Sequence, residues 1–194
     1  MAIQSNNQSL TPDMRRNVLL ITGKKTSEGY TMNPVMTVKS IPTDAYSLLN
    51  TRDPKTEWLT VEFVNKKNTV IFTTKIDVTK FEDIDTEEAI FGATTDMPSE
   101  PLSAIVLKDS TGKEVARVTD KPHTQAPTIS YIDRTSKFIH TGTSQMVMVQ
   151  DPETFEVLSM VQGEGQMHRF NHKEGQKFNI LTSTGLTTTE TVGQ

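Results

Sequence analysis

The chain has 194 residues, which suffices for one domain of ordinary size or for two small ones. Its formal net charge of −4 argues against a basic surface that binds nucleic acid or an anionic membrane. The absence of cysteine excludes disulfides, thiolate metal sites and cysteine nucleophiles.

The residue composition favours β-structure. The sequence contains 30 Thr, 15 Val and 12 Ile, against only 11 Leu and 7 Ala. β-Branched side chains lose rotamer freedom in a helix and fit well on a pleated sheet. Hydrophobic residues make up 34% of the chain, which allows a core, although a thin one. We therefore predict a mainly β protein.

The two ends of the chain are polar and predict arms. Residues 1–13 are rich in Gln, Asn and Ser, and their large aliphatic side chains are Ile3 and Leu10. Residues 183–194 are rich in Thr and contain Leu186 and Val192. Each arm either frays, because it buries little against the entropy of ordering, or becomes ordered on a neighbouring subunit. In the second case these four apolar residues are subunit contacts.

Strand-like segments separated by turn residues predict four hairpins. In the first, Trp58–Val64 alternates between two faces and is followed by the polar turn 65–68. In the second, Asp109 and Gly112 supply the side-chain acceptor and the positive φ that a tight turn needs. In the third, Pro152 presets the turn. The paired segments are 58–64 with 69–76, 103–108 with 114–119, 145–150 with 156–162, and 166–171 with 176–182.

Weaker strand patterns and two short helices complete the predicted elements. Further strands are predicted over 17–22, 35–40 and 128–133. Thr43–Leu49 has the N-cap and apolar residues of a two-turn helix, and Asp85–Phe91 has acidic residues at the N-terminal end of a second one. Repeated hairpins with few helices favour an antiparallel sandwich or a small barrel with extended termini.

An acidic stretch predicts the division of the chain. Residues 77–101 contain eight acidic residues against one base, Lys80. We predict a β-rich N-terminal unit at 14–96 and a β-rich C-terminal unit at 97–182, unless 14–182 forms one continuous domain.

The same stretch raises the question of calcium binding. Asp83, Asp85 and Glu87 have the spacing that opens a calcium loop, but Glu88 occupies the position of the required glycine. The segment is either a solvated acidic turn or a loose calcium site.

The sequence contains no catalytic signature. His168 and His172 have a spacing that suits a metal on a helix, but the segment is predicted to be a strand followed by a turn. Gly23-Lys-Lys-Thr26 lacks the spacing of a phosphate-binding loop. We therefore predict a protein that is not an enzyme, with no catalytic, cofactor-binding or metal-binding residues.

Met146 and Met148 point to one face of the third predicted hairpin. Methionine adapts to irregular gaps, so this pair either fills a core or forms a subunit contact.

In composition the chain resembles bacteriophage virion structural proteins, such as capsid decoration, collar and tail components. The polar start Met1–Ser9, the hairpin segment Lys108-Asp-Ser-Thr-Gly-Lys-Glu-Val115 and the Thr-rich end after Leu181 carry the resemblance. It implies a multi-copy or homo-oligomeric subunit that contacts itself and other virion proteins through terminal arms and edge strands. It also implies a virion location after assembly in the host cytoplasm, without a cofactor, direct nucleic-acid binding or a membrane.

A second class stays open at this level, a β-sandwich binding module that presents loops to a receptor or a glycan. Loops 23–29 and 120–127 would carry the contact, because loops on a rigid scaffold commonly carry recognition. Mass in solution separates the classes, since a module stays monomeric when its partner is absent.

Overall fold

A computed structural model describes residues 16–40, 57–80, 88–121, 128–131, 136–140, 145–163, 167–171 and 175–193. These residues form fifteen β-strands, and every pair among them is antiparallel. The strands are β1 (Arg16–Thr26), β2 (Gly29–Met32), β3 (Met36–Ser40), β4 (Glu57–Asn65), β5 (Val70–Lys80), β6 (Ala89–Asp96), β7 (Leu102–Lys108), β8 (Glu114–Val118), β9 (Thr128–Tyr131), β10 (Ser136–His140), β11 (Gln145–Gln150), β12 (Val157–Gly163), β13 (Met167–Asn171), β14 (Phe178–Ser183) and β15 (Thr188–Gly193). The prediction of a mainly β, antiparallel protein is confirmed.

The first eight strands form a nearly closed barrel. Their order is β2-β1-β6-β5-β4-β7-β8, and β3 also pairs with β1. The two ends of this path, β2 and β8, lie against each other. β5 pairs with β6 only through its last three residues, 78–80, so within the described part of the chain no strand pairs with the β6 side of the earlier part of β5.

Alternation along the strands explains the barrel core. In β4, Leu59, Val61 and Phe63 are fully buried, whereas the residues between them are only partly buried. Side chains of β1, β5, β6, β7 and β8 complete this interior. The buried residues contributed by those strands are Leu19, Ile21, Ile76, Val78, Ala89, Phe91, Ile105, Leu107 and Val118.

The turns of the first two predicted hairpins form as the sequence indicates. Asn65 is buried, and its Oδ1 accepts hydrogen bonds from the backbone N–H groups of Lys67 and Thr69, at 2.9 and 3.0 Å. In the β7–β8 turn, the Asp109 carboxylate accepts hydrogen bonds from Thr111 and Lys113, and Gly112 has a φ of 83°. The hydroxyl of Thr111 contributes most to the lowered pKa of Asp109.

The third predicted hairpin, β11–β12, is also confirmed. Asp151 Oδ1 accepts hydrogen bonds from the backbone N–H groups of Glu153 and Thr154, both at 2.8 Å, and Oδ2 accepts one from Gln176. These donors favour the carboxylate, with Thr154 N–H as the largest contribution, and therefore lower the pKa of Asp151.

The hydrogen bonds of Asp151 lead to a prediction about pH. A lowered folded-state pKa contributes stability above the unfolded value of ~3.9, and this contribution is lost as pH falls through the folded-state pKa. We expect Asp151→Asn to be less stable than the wild type at neutral pH, with the difference shrinking as the solution becomes acidic. Urea unfolding of the wild type and of Asp151→Asn across the acidic range measures this difference in the free energy of unfolding. A difference that does not change with pH would contradict the lowered pKa of Asp151.

The fourth predicted hairpin is wrong. β13 pairs with β10, and β14 lies between β11 and β15. β14 buries apolar residues on both faces, with Phe178 and Ile180 on one and Leu181 on the other. A strand that is apolar on both faces belongs inside a sheet, and this preference overrides pairing with its neighbour in sequence.

The two predicted helices have different outcomes. Thr43–Leu49 lies outside the described residues, and the described part of the chain contains no helix. The prediction over Asp85–Phe91 is wrong where it is described, since Ala89 and Phe91 are buried residues of β6. Their alternation with the exposed Ile90 is a strand pattern, and it outweighs the acidic residues before it.

The barrel also crosses the predicted division of the chain. β7 and β8 follow residue 96 but belong to the same sheet as β1–β6, because β7 pairs with β4 over the whole segment from Thr60 to Asn65.

Candidate contact surface

The four-stranded sheet, in the order β12-β11-β14-β15, packs one face on the outside of the barrel. Cross-strand partners in an antiparallel sheet point to the same face. Met146, Met148 and Leu181 therefore share this face, which we call the barrel-facing face. They form one buried cluster with outward side chains of β1 and β3, namely Val18, Met36 and Val38.

Hydrogen bonds join the two sheets beside this cluster. The Ser183 hydroxyl is fully buried and donates to the carbonyl of Val35 at 2.6 Å. The N–H of Val35 in turn donates to the carbonyl of Gly185 at 2.7 Å. Thr37 N–H donates to the Thr188 hydroxyl at 2.7 Å. The barrel therefore holds the centre of the sheet and the start of β15.

Met146 and Met148 were predicted either to fill a core or to form a subunit contact, and in this chain both side chains are buried. They are only 1% and 2% exposed, because β1 and β3 of the same chain cover them. Their position fits the alternative, in which the two methionines fill a core. A flexible thioether suits a junction between two curved sheets, where regular packing is hard to achieve.

The edge strands of this sheet carry exposed apolar side chains. Val157 and Met160 on β12 are each 49% exposed, and Val192 on β15 is 69% exposed. Val157 lies opposite Gln150, Met160 opposite Met148 and Val192 opposite Asn179. All three therefore point to the barrel-facing face, at the two margins that the barrel leaves uncovered.

The edges carry little of the usual protection against strand addition: Glu190, the partner of Leu181, is a single charge on the barrel-facing face of β15, and β13 lies against β12 without pairing with it. No strand of the described residues pairs with the outer side of β12 or β15. Proteins commonly guard such edges with lysine, proline or inward charges. The sequence Val157–Gly163 has no charged residue and no proline, and Thr188–Gly193 has one charge, Glu190.

The structure separates the predicted arm residues. Ile3 and Leu10 lie outside the described residues. The expectation of a flexible arm is wrong for 188–193, because β15 pairs with β14 along its whole length. Leu186 is partly buried and packs against the barrel core, whereas Val192 is 69% exposed. The missed strand signal was the concentration of β-branched residues from 188 to 192, which are Thr or Val except for Glu190.

Sequence reasoning noted Met160 as a third methionine of this hairpin but did not single out Val157. The available signal was an uncharged segment of seven residues that follows a tight turn, which is typical of an unguarded strand. Whether such a strand lies inside a sheet or at its edge depends on pairing that is distant in sequence.

A cavity of about 470 Å³ lies at one end of the barrel. Its apolar lining includes Leu19, Met97 and Leu186, and its charged lining includes Glu100 and Asp120. Both carboxylates are engaged within the chain, since Glu100 accepts a hydrogen bond from Asn65 and Asp120 accepts bonds from the backbone of residues 186 and 187. Lys66 is a third charged residue of the lining, so the cavity combines apolar and charged side chains.

A cluster of Lys25, Tyr30 and Glu57 joins β1, β2 and β4. Lys25 Nζ lies 2.6 Å from Glu57 and 5.2 Å from the centre of the Tyr30 ring, while the Tyr30 hydroxyl also bonds Glu57. The Glu57 hydrogen bond raises the pKa of Lys25, and burial raises the pKa of Tyr30. Both groups stay protonated at neutral pH, so neither acts as a base or nucleophile there.

The candidate metal residues are not brought together in the described part of the chain. Within it, no three His, Asp or Glu side chains lie close enough to hold an ion. His168 lies on β13, while His172 and the acidic residues 83, 85 and 87 lie outside the described residues. Among the described elements, none is a helix with the length and hydrophobicity needed to span a bilayer.

Comparisons with protein-family models, with curated proteins and with solved structures find no match to this chain.

Proposed function

We propose that this chain is a non-enzymatic structural subunit that acts in several copies within a large assembly. The observation that carries the proposal is that no described strand pairs with the outer side of β12 or β15, while Val157, Met160 and Val192 are exposed on one face of these edge strands. The compositional resemblance to bacteriophage virion proteins suggests the virion as the assembly, in a decoration, collar or tail position.

The exposed edge residues supply the driving force for association. Fully burying one Val or Met side chain contributes about 1.5–3 kcal/mol, and these residues still expose roughly half or more of their surface. Strand addition also pairs backbone groups that otherwise face water, which sets orientation and register. Each contact buries little surface, but several contacts within one assembly raise the overall affinity, because every contact after the first forms within the same complex.

The barrel gives these edges a defined position. Met146, Met148 and Leu181 are buried against β1 and β3, which fixes the four-stranded sheet to the barrel. The sheet therefore cannot reorient to bury the exposed apolar side chains of its edge strands. The bonds from Ser183 and Thr37 hold β14 and the start of β15 in the same way. We propose that the barrel is the support and the sheet edges are the contact surface.

Measurement of mass in solution tests the proposal. We expect the wild-type chain to self-associate at high micromolar concentration. The double variant Met160→Lys, Val192→Lys should behave as a monomer of 21.7 kDa. Adding an unpaired charge to each edge should weaken association by roughly 100-fold or more.

Ile90→Lys is the matched control, because Ile90 is 48% exposed but lies on β6 between β1 and β5. It should associate like the wild type. Circular dichroism checks that all three proteins are folded. A wild-type chain that stays monomeric would contradict the proposal and favour the binding-module alternative, for which the 470 Å³ cavity is the surface to examine.

A further inference from the structure

We infer that β15 of one copy pairs antiparallel with β12 of the next copy, so that the four-stranded sheets join head to tail. This inference rests on the proposed function and names the partner, which is a second copy of this chain. Three properties of the sheet carry it: strand direction, the face on which the apolar residues lie, and the position of Glu190.

Strand direction makes the two edges compatible. β12 and β14 each run antiparallel to β11, and β15 runs antiparallel to β14. The edge strands β12 and β15 therefore run in opposite directions. When a second sheet is placed beside the first in the same orientation, its β12 lies antiparallel to the β15 of the first copy, and the alternation continues.

The exposed apolar residues match across the same junction. Val192 points to the barrel-facing face, and so do Val157 and Met160. Because the second copy keeps the orientation of the first, its β12 residues lie on the same face as Val192 of the first copy. The junction then covers side chains that are 69% and 49% exposed in one chain.

Glu190 disfavours the symmetric alternative, in which β15 pairs with β15 of a second copy. When both copies keep the barrel-facing face on the same side, antiparallel overlap of residues 188–192 places Glu190 directly opposite Glu190 of the second copy, and like charges in that position repel. Symmetric pairing would also leave Val157 and Met160 in water. On β12, by contrast, Glu190 meets no charged residue.

A head-to-tail junction uses β15 of one copy and β12 of the next, so a growing assembly keeps one unused edge at each of its two ends. Association of this kind continues until it closes into a ring or extends as a filament. It differs from a symmetric dimer, which would stop at two copies.

Cysteine cross-linking tests the pairing, because the natural chain has no cysteine. The double variant Met160→Cys, Val192→Cys places one thiol on each edge, with Val157→Cys as the second choice on β12. Within one chain these edges are three strand spacings apart, about 14 Å, which is beyond the reach of a disulfide. Mild oxidation should therefore produce a ladder of dimers, trimers and higher species that a reductant abolishes.

The single variants separate the outcomes. Met160→Cys and Val192→Cys should each stay uncross-linked alone and give a covalent dimer when mixed. The control, Ile90→Cys with Val192→Cys, should give no ladder. If Val192→Cys alone forms dimers, or if no edge pair cross-links although the wild type is oligomeric, the head-to-tail inference is overturned while the proposed function stands. A monomeric wild type overturns both.

Discussion

Replacement of Phe63 by alanine is expected to lower the free energy of unfolding by about 3–5 kcal/mol. Phe63 is completely buried on β4 and belongs to the barrel core, together with Leu59 and Val61. The loss combines the transfer free energy of the ring with the free-energy cost of the cavity that remains, because a closely packed interior relaxes only partly around a deleted side chain. Urea or guanidinium unfolding of both chains measures the loss.

Phe72→Ala is the matched control for this prediction. Its ring lies 5.2 Å from that of Phe63, centre to centre, on the cross-strand partner position. Phe72 is 45% exposed, however, and no described strand pairs with the β6 side of this part of β5. We expect a loss of about 1–2 kcal/mol. Equal losses for the two variants would mean that the core does not centre on Phe63.

Gly185→Ala is expected to destabilise the junction of barrel and sheet by about 2–3 kcal/mol. A Cβ atom on Gly185 would lie 2.3 Å from the carbonyl oxygen of Thr119 and 2.7 Å from Asp120 Cα. Both are backbone atoms, so the chain after β8 must move. That movement strains the hydrogen bond from Val35 N–H to the Gly185 carbonyl.

Gly92→Ala is the control for Gly185→Ala. Its added Cβ would be 3.4 Å from Thr22 Cγ2, an ordinary contact, so stability should change little. Trp58, the one tryptophan of the chain, lies on β4 and reports on the barrel by fluorescence. In Gly185→Ala we expect circular dichroism, which reports on all strands, to begin its transition before Trp58 fluorescence. Unchanged stability would mean that the close approach at Gly185 relaxes without cost.

The hairpins that were correctly predicted depend on short-range chemistry. Asp109 accepts hydrogen bonds from residues two and four positions ahead, and Gly112 provides the positive φ, so the β7–β8 turn is encoded within a few residues. The same holds for Asp151 in the β11–β12 turn. Strand alternation around these turns then requires only the contrast between apolar and polar side chains.

The candidate contact surface could be predicted only in part. Val192 was recognised as an apolar residue in a polar segment, but its place on an edge strand depends on β14, which lies between β11 and β15. Met146 and Met148 satisfied the pattern of a contact face equally well. Their burial follows from β1 and β3, which precede them by more than a hundred residues.

From its amino acids alone, then, this protein is recognisable as β-rich, and three of its hairpins can be located. Those features arise from the stiffness of β-branched residues and from turn residues that act on near neighbours. The order of strands within each sheet, and therefore which apolar side chains face water, was settled by packing between distant segments. The alternation of apolar and polar residues shows that a strand has two different faces. Which face is covered, and which edge is paired, depends on the completed fold.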